Sequence, residues 1–137
     1  MLREKITYAE MNSRQKENFN FHKIAASLSD YGYASIRLSD DFNGADFLAV
    51  HVNGQSILRV QLKGRFCFDE KYYGKNIYIA FRDTDDCYIY PHDEVRRQIE
   101  DAGMLQESKS ENWILNGSRS WPNVPKKFRN FLEKYKL

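Results

Sequence analysis

The sequence predicts an α/β (α+β) fold, a central mixed β-sheet flanked by helices. Three observations predict it. Helical periodicity opens the chain, β-type segments crowd its middle, and helical periodicity returns near its end. At 137 residues, 42% hydrophobic and 15% aromatic, the chain is expected to form one domain, 1–137, with a real core. With 29% charged residues and a net charge of +2, it does not have the composition of a disordered protein.

The first helix is expected over 11–30, capped by Asn12 or Ser13. Phe21, Ile24, Ala25 and Leu28 recur at helical spacing and form one apolar stripe. Gly32 follows as a stop signal. "YASIRLS" (33–39) reads as a strand and "DDFNGA" as a loop. Strands at 46–52 and 56–63 flank Asn53-Gly54, a strong hairpin signal because both turn residues tolerate positive φ. Two more strands are expected at 77–82 and 87–90, parted by the polar turn "DTDD". Pro91 ends the last of these, and a helix runs from about Asp93 to Ala102, stopped by Gly103. Residues 104–122 read as irregular, with a short strand at "NWIL". A closing helix over Pro125–Tyr135 places Phe128, Phe131, Leu132 and Tyr135 on one side.

The hairpin can be read quantitatively. With Asn53-Gly54 as the turn, Val50 faces Ile57, Leu48 faces Arg59 and Asp46 faces Gln61. Period two then puts Lys63 on the same face as Gln61. The opposite face carries Phe47, Ala49, Leu58, Val60 and Leu62, all apolar. Asp46, Gln61 and Lys63 should therefore converge at one end of the hairpin. Glu17 lies four and seven residues before Phe21 and Ile24, which puts it on the apolar stripe. A carboxylate there needs a partner, either Lys63 or a metal ion, with Glu10 as the runner-up for its role. Oxygen donors of this kind favour a hard cation, above all Mg²⁺. Each residue alone also has an ordinary structural reading, and the conjunction is what points to chemistry.

"GAD" followed by "QLK", with a glutamate on the preceding helix, resembles the PD-(D/E)XK nuclease superfamily. That group includes many restriction endonucleases, archaeal Holliday-junction resolvases and some homing endonucleases. The resemblance implies a restriction endonuclease-like core, α-β-β-β-α-β, over about 11–102, with a basic helical extension over about 119–137. It implies a metal-dependent endonuclease acting on DNA. Glu17, Asp46 and Gln61 would bind Mg²⁺ or Mn²⁺, Lys63 would be catalytic, and a homodimer would be possible. Two positions depart from the pattern: Ala45 replaces the motif proline, and Gln61 replaces an acid. Glutamine keeps a carbonyl oxygen but loses a charge, so metal binding should weaken. A nuclease-fold module that binds nucleic acid or a protein without cleaving is the alternative.

Charge is uneven along the chain. From Arg119 onward there are six Lys/Arg and one Glu, and before it fifteen basic and eighteen acidic residues. A basic tail suits an anionic partner such as DNA, and equally a solvated helix face. Arg65, Lys71 and Lys75 in the basic, aromatic segment 64–76, and Lys126 and Lys127 on the last helix, are candidate nucleic-acid contacts. That segment reads equally well as a mobile loop. His92 in "PHDE" fits a helix start better than a site, and Asp83, Asp85 and Asp86 lack the rest of a calcium loop. No apolar run nears the about 20 residues that span a bilayer, and no secretory signal opens the chain. Cys67 and Cys87 are too few for a disulfide framework or a zinc site, so a cytoplasmic location is expected.

Overall fold

The computed structural model describes residues 2–104 and 117–137. The expected strand at "NWIL", and Trp113 within it, lie outside the described residues. Helix α1, Ser13–Ser29, begins with a reciprocal cap: Asn12 Oδ1 accepts from Gln15 N, and the Gln15 side chain accepts from Asn12 N. Strands β1 (Tyr33–Phe42), β2 (Ala45–His51), β3 (Ile57–Leu62), β5 (Ile77–Asp83) and β6 (Asp86–Pro91) form one mixed sheet in the order β1-β2-β3-β5-β6. Only β3 and β5 run parallel. The expected central sheet with helices on its faces is therefore present.

Each sheet face has its own core, and strand alternation sorts residues between them. On one face Phe21, Ile24 and Leu28 of α1 pack on Phe47, Ala49, Val60, Ala80, Cys87 and Ile89. On the other, Ile77, Ile79, Phe81, Tyr88 and Tyr90 meet helix α2 (His92–Asp101) and helix α3 (Lys126–Leu132) through Val95, Ile99, Phe128 and Leu132. Each fully buried aromatic or aliphatic side chain contributes about 1.5–3 kcal/mol.

The segment 64–76 differs from a mobile loop. Residues Phe66–Asp69 form strand β4, which pairs with strand β7 (Ser118–Trp121) in a second small sheet. A 3-10 turn, Glu70–Tyr72, follows. The parallel crossover from β3 to β5 thus carries a strand and a 3-10 turn where the resemblance implied a helix. Phe66, Phe68 and Trp121 are core residues, with the rings of Phe66 and Trp121 stacked at 5.0 Å. Tyr90 ties this layer to the main sheet, because its buried hydroxyl donates to Cys67 O at 2.6 Å.

His92 opens α2, as a helix start should, but it also has a structural role. It is fully buried, and its Nε2 accepts from Asp69 N at 3.0 Å. That bond leaves the proton on Nδ1, which donates to Asp93 Oδ1 at 2.7 Å. Asp93 in turn accepts from Gly74 N. Burial pushes the imidazole below its ordinary value, so the ring stays neutral and pins the crossover.

Two connectors shape the site. The Asn53-Gly54 connector is wider than a two-residue turn: His51 N donates to Ser56 O, and Asn53 Oδ1 accepts from Gln55 N and Ser56 N. Only Gly54 of the pair has positive φ. The tight two-residue turn is instead Asn43-Gly44, at φ 49° and 91°, closing Phe42 on Ala45. A side chain on Gly44 would meet the Tyr72 ring at 3.1 Å. Gly44→Ala should therefore cost about 1–2 kcal/mol from backbone conformation alone, with more from the ring. A urea melt should show the loss, and an unchanged midpoint would contradict this account of the turn.

Candidate active site

The register of the hairpin is the expected one. Phe47 pairs with Val60, Leu48 with Arg59, Ala49 with Leu58 and Val50 with Ile57. The wider connector is symmetric about Asn53-Gly54, so it preserves the pairing. The ladder then stops, at Phe47–Val60. The next N–H on β3, that of Leu62, donates at 2.9 Å to Asp46 Oδ2 instead of to a backbone carbonyl of β2. On the other side of β2 the β1 register shifts between Arg37 and Phe42. Asp46 thus lies where β2 leaves its regular pairing with both neighbours.

That position governs its charge. Asp46 is partly buried, and burial is the main reason its carboxyl is held above the ordinary value. The Leu62 N–H opposes the shift, Glu17 adds to it, Lys63 opposes it and Asp41 adds to it. Asp46, Glu17, Asp41 and Asp40 line an open cleft of about 740 Å³, together with Arg14 and Arg37. An adjoining cleft shares Glu17 and adds Lys16, Lys63 and Arg65. The structure therefore brings Asp46, Glu17 and Lys63 around one end of the hairpin.

Glu17 differs from its expected setting. Its side chain is 56% exposed, and its partner is Arg37 at 3.1 Å, not Lys63. Arg37 also donates to Asn18 Oδ1 at 2.7 Å and lies over the Phe21 ring. The apolar stripe of α1 is buried from Asn20 onward, and the turn before it is exposed. Glu10 is not on α1. It closes a 3-10 turn by accepting from Thr7 N at 2.7 Å, which lowers its pKa. Gln61 is half-buried, opposite Ile79 of β5, with Nε2 3.5 Å from Leu62 O. Among the described residues no three His, Cys, Asp or Glu side chains stand close enough to hold a metal ion.

The basic candidates separate by position. Lys63 and Lys71 both sit over the Tyr72 ring, each 5.2 Å from its centroid. Tyr72 is buried, and burial pushes its hydroxyl up to about 12. Arg65 is exposed beside Lys63. Lys71 pairs with Asp69 at 3.9 Å, and Lys75 is exposed after the 3-10 turn. Lys126 is exposed at the start of α3, whereas Lys127 donates to Met104 O. Arg37, Asp41 and Tyr72 were not among the sequence candidates. Asp41 had a signal in the acidic pair "DD" beside "GAD", and Tyr72 had none.

Solved structures similar to this chain include two nucleases. A Holliday junction resolvase, Hjc, from the archaeal hyperthermophile Archaeoglobus fulgidus is 20% identical with a TM-score of 0.44, over 56% of this chain and 72% of its own. A bacterial homing endonuclease is 14% identical with a TM-score of 0.49, over 91% of this chain and 86% of its own. No family model matches the sequence, and neither does any curated protein. No helix among the described residues is long and apolar enough to cross a membrane.

The raised pKa of Asp46 gives a stability test. A carboxyl held above its ordinary 3.8 favours the native state below that pH, and the gain is lost as pH rises through the native value. Ionised Asp46 is then a cost at neutral pH. Asp46→Asn, which can still accept from Leu62 N, should raise the urea midpoint at neutral pH and lose its advantage in acid. Equal midpoints at neutral pH would refute the burial account.

Proposed function

We propose that this chain is a metal-dependent endonuclease that hydrolyses DNA phosphodiester bonds. The observation that carries the reading is Asp46: a partly buried carboxylate at the fork of two strands, with like-charged Glu17 and Asp41 on one side and the Lys63 ammonium on the other. A carboxylate held above its ordinary value beside like charges, open to a cleft, is the electrostatic setting a cation relieves.

The donor set fits Mg²⁺ in a particular way. Mg²⁺ keeps several waters and is held by one or two carboxylates plus substrate phosphate, without a full protein cage. Asp46 and Glu17 would supply the carboxylates and Gln61 its amide oxygen. A bound Mg²⁺ supplies stabilisation of charge on the phosphoryl oxygens. Asp46 is held in place by the Leu62 N–H. Lys63 follows β3 directly, and its own N–H donates to Ala80 O at 2.9 Å, which fixes the base of its side chain. Its ammonium, over the Tyr72 ring, is poised to orient water and neutralise developing charge. Glu17 must share its carboxylate with Arg37, which would loosen its hold on a cation.

A second reading has two observations in its favour. The Glu17–Arg37 pair and the uncharged Gln61 both weaken a metal site, as a binding module with decayed chemistry would show. Plasmid nicking in Mg²⁺ or Mn²⁺ separates the two. Lys63→Ala and Asp46→Ala should each lower cleavage about 100-fold or more. Gln61→Glu should restore the missing charge, tighten metal binding by calorimetry and raise cleavage at limiting Mg²⁺. Cleavage that survives both alanine variants would sink the site assignment. Salt-sensitive DNA binding without cleavage by the wild type would favour the second reading.

A further inference from the structure

The small β4–β7 sheet forms one wall of a cleft of about 240 Å³ beside Lys63. The other wall is the end of β3, where Lys63, Gly64 and Arg65 follow Leu62. From β7 come Ser118, Arg119 and Ser120. Three cations and two hydroxyls therefore face one small volume. The acid in the cleft is Asp69, and it is engaged elsewhere: Oδ1 accepts from Lys71 N at 3.0 Å, and Oδ2 faces the Lys71 ammonium at 3.9 Å. Among the described residues none of Lys63, Arg65 and Arg119 makes an ion pair. The Arg119 guanidinium lies over the Trp121 ring, 4.9 Å from its centroid, and its Nε is buried without a hydrogen-bond partner. A buried guanidinium donor without an acceptor is costly, and a planar guanidinium matches a phosphate with two parallel hydrogen bonds. The space beside Gly64 is open, with nothing within 4 Å of where a side chain would begin.

We propose that this cleft is a phosphodiester-binding subsite in which Arg119, Arg65 and Lys63 grip the backbone of a DNA strand next to the acidic cleft. The proposal rests on the nucleic-acid reading above, but not on cleavage. It takes one residue of the basic tail out of the solvated surface and gives it a place at the site. Arg119 is a positioning residue here, because the strand it holds is presented to Lys63 and Asp46.

The test measures binding of a short fluorescein-labelled DNA duplex by the full chain over a range of salt, without divalent metal, by anisotropy. Removing a side chain that neutralises one phosphate should reduce the slope of log affinity against log salt by about 0.9. Arg119→Gln and Arg65→Gln should each lower the slope by about one, and the double variant by about two. Arg119→Lys should recover part of the slope. Because Arg119 also packs on Trp121, Arg65→Gln, at an exposed position, serves as the second variant if β7 loosens. Titration of inorganic phosphate should in parallel shift the amide resonances of Gly64, Arg119 and Ser120. Unchanged slopes in folded variants overturn the subsite, even if the wild type nicks plasmid and the nuclease reading stands. Lowered slopes with no nicking by the wild type support the subsite while overturning the nuclease reading. A wild type that binds neither duplex nor phosphate overturns the subsite outright.

Discussion

The N–H of Leu62 can serve one acceptor well, and it serves Asp46. In a continuing ladder that donor would belong to a backbone carbonyl of β2, and the two strands would stay closed. Given to a side chain, it lets β2 and β3 part without leaving a buried donor unpaired, a fault that costs about 1–3 kcal/mol. The β1 register shift frees the other side of β2, and the Asn43-Gly44 turn that joins them sets Gly44 against the Tyr72 ring. A carboxylate can thus sit at the end of a well-packed sheet, half out of water, with its geometry held by backbone.

Around that fork the charges fall unevenly. Glu17, Asp40, Asp41 and Asp46 line the cleft beside α1, with Arg14 and Arg37 among them, and Lys63, Arg65 and Arg119 line the smaller cleft against β7. Lys63 stands at the boundary, with a buried aromatic ring beneath its ammonium. The cleft between them shares Glu17 with the first and Lys63 and Arg65 with the second. His92, neutral and buried, steadies the wall of the smaller cleft by holding Asp69 and, through Asp93, Gly74.

The hairpin was legible in the sequence for a physical reason. Its register depends on the centre of the connector, and a two-residue turn and a four-residue loop share a centre at Asn53-Gly54. Strand alternation then sorted Phe47, Ala49 and Val60 from Asp46 and Gln61. Glu17 was half legible. Helical spacing set its direction, but not that this turn of α1 is exposed, where Arg37 takes the carboxylate. The β4–β7 pair was not legible, because residues 66–69 find their partners at 118–121, and nothing local marks a pairing over that distance. The lysines and aspartate in "GRFCFDEKYYGKN" read as loop, although Phe66, Phe68 and Tyr72 are core. The second Asn-Gly pair hid the true tight turn inside an apparent loop.

The β4–β7 sheet also sets an order of assembly. The hairpin that carries Asp46 and Lys63 joins neighbours in sequence, so its loop-closure entropy is small and it can form early. Strand β7 must return across most of the second half of the chain before Arg119 reaches its place. The cleft around Asp46 and Lys63 can therefore form in a partly folded chain, whereas Arg119 takes its place only once the last layer has docked. The small cleft that Arg119 lines is thus a property of the finished molecule, completed at the end of folding.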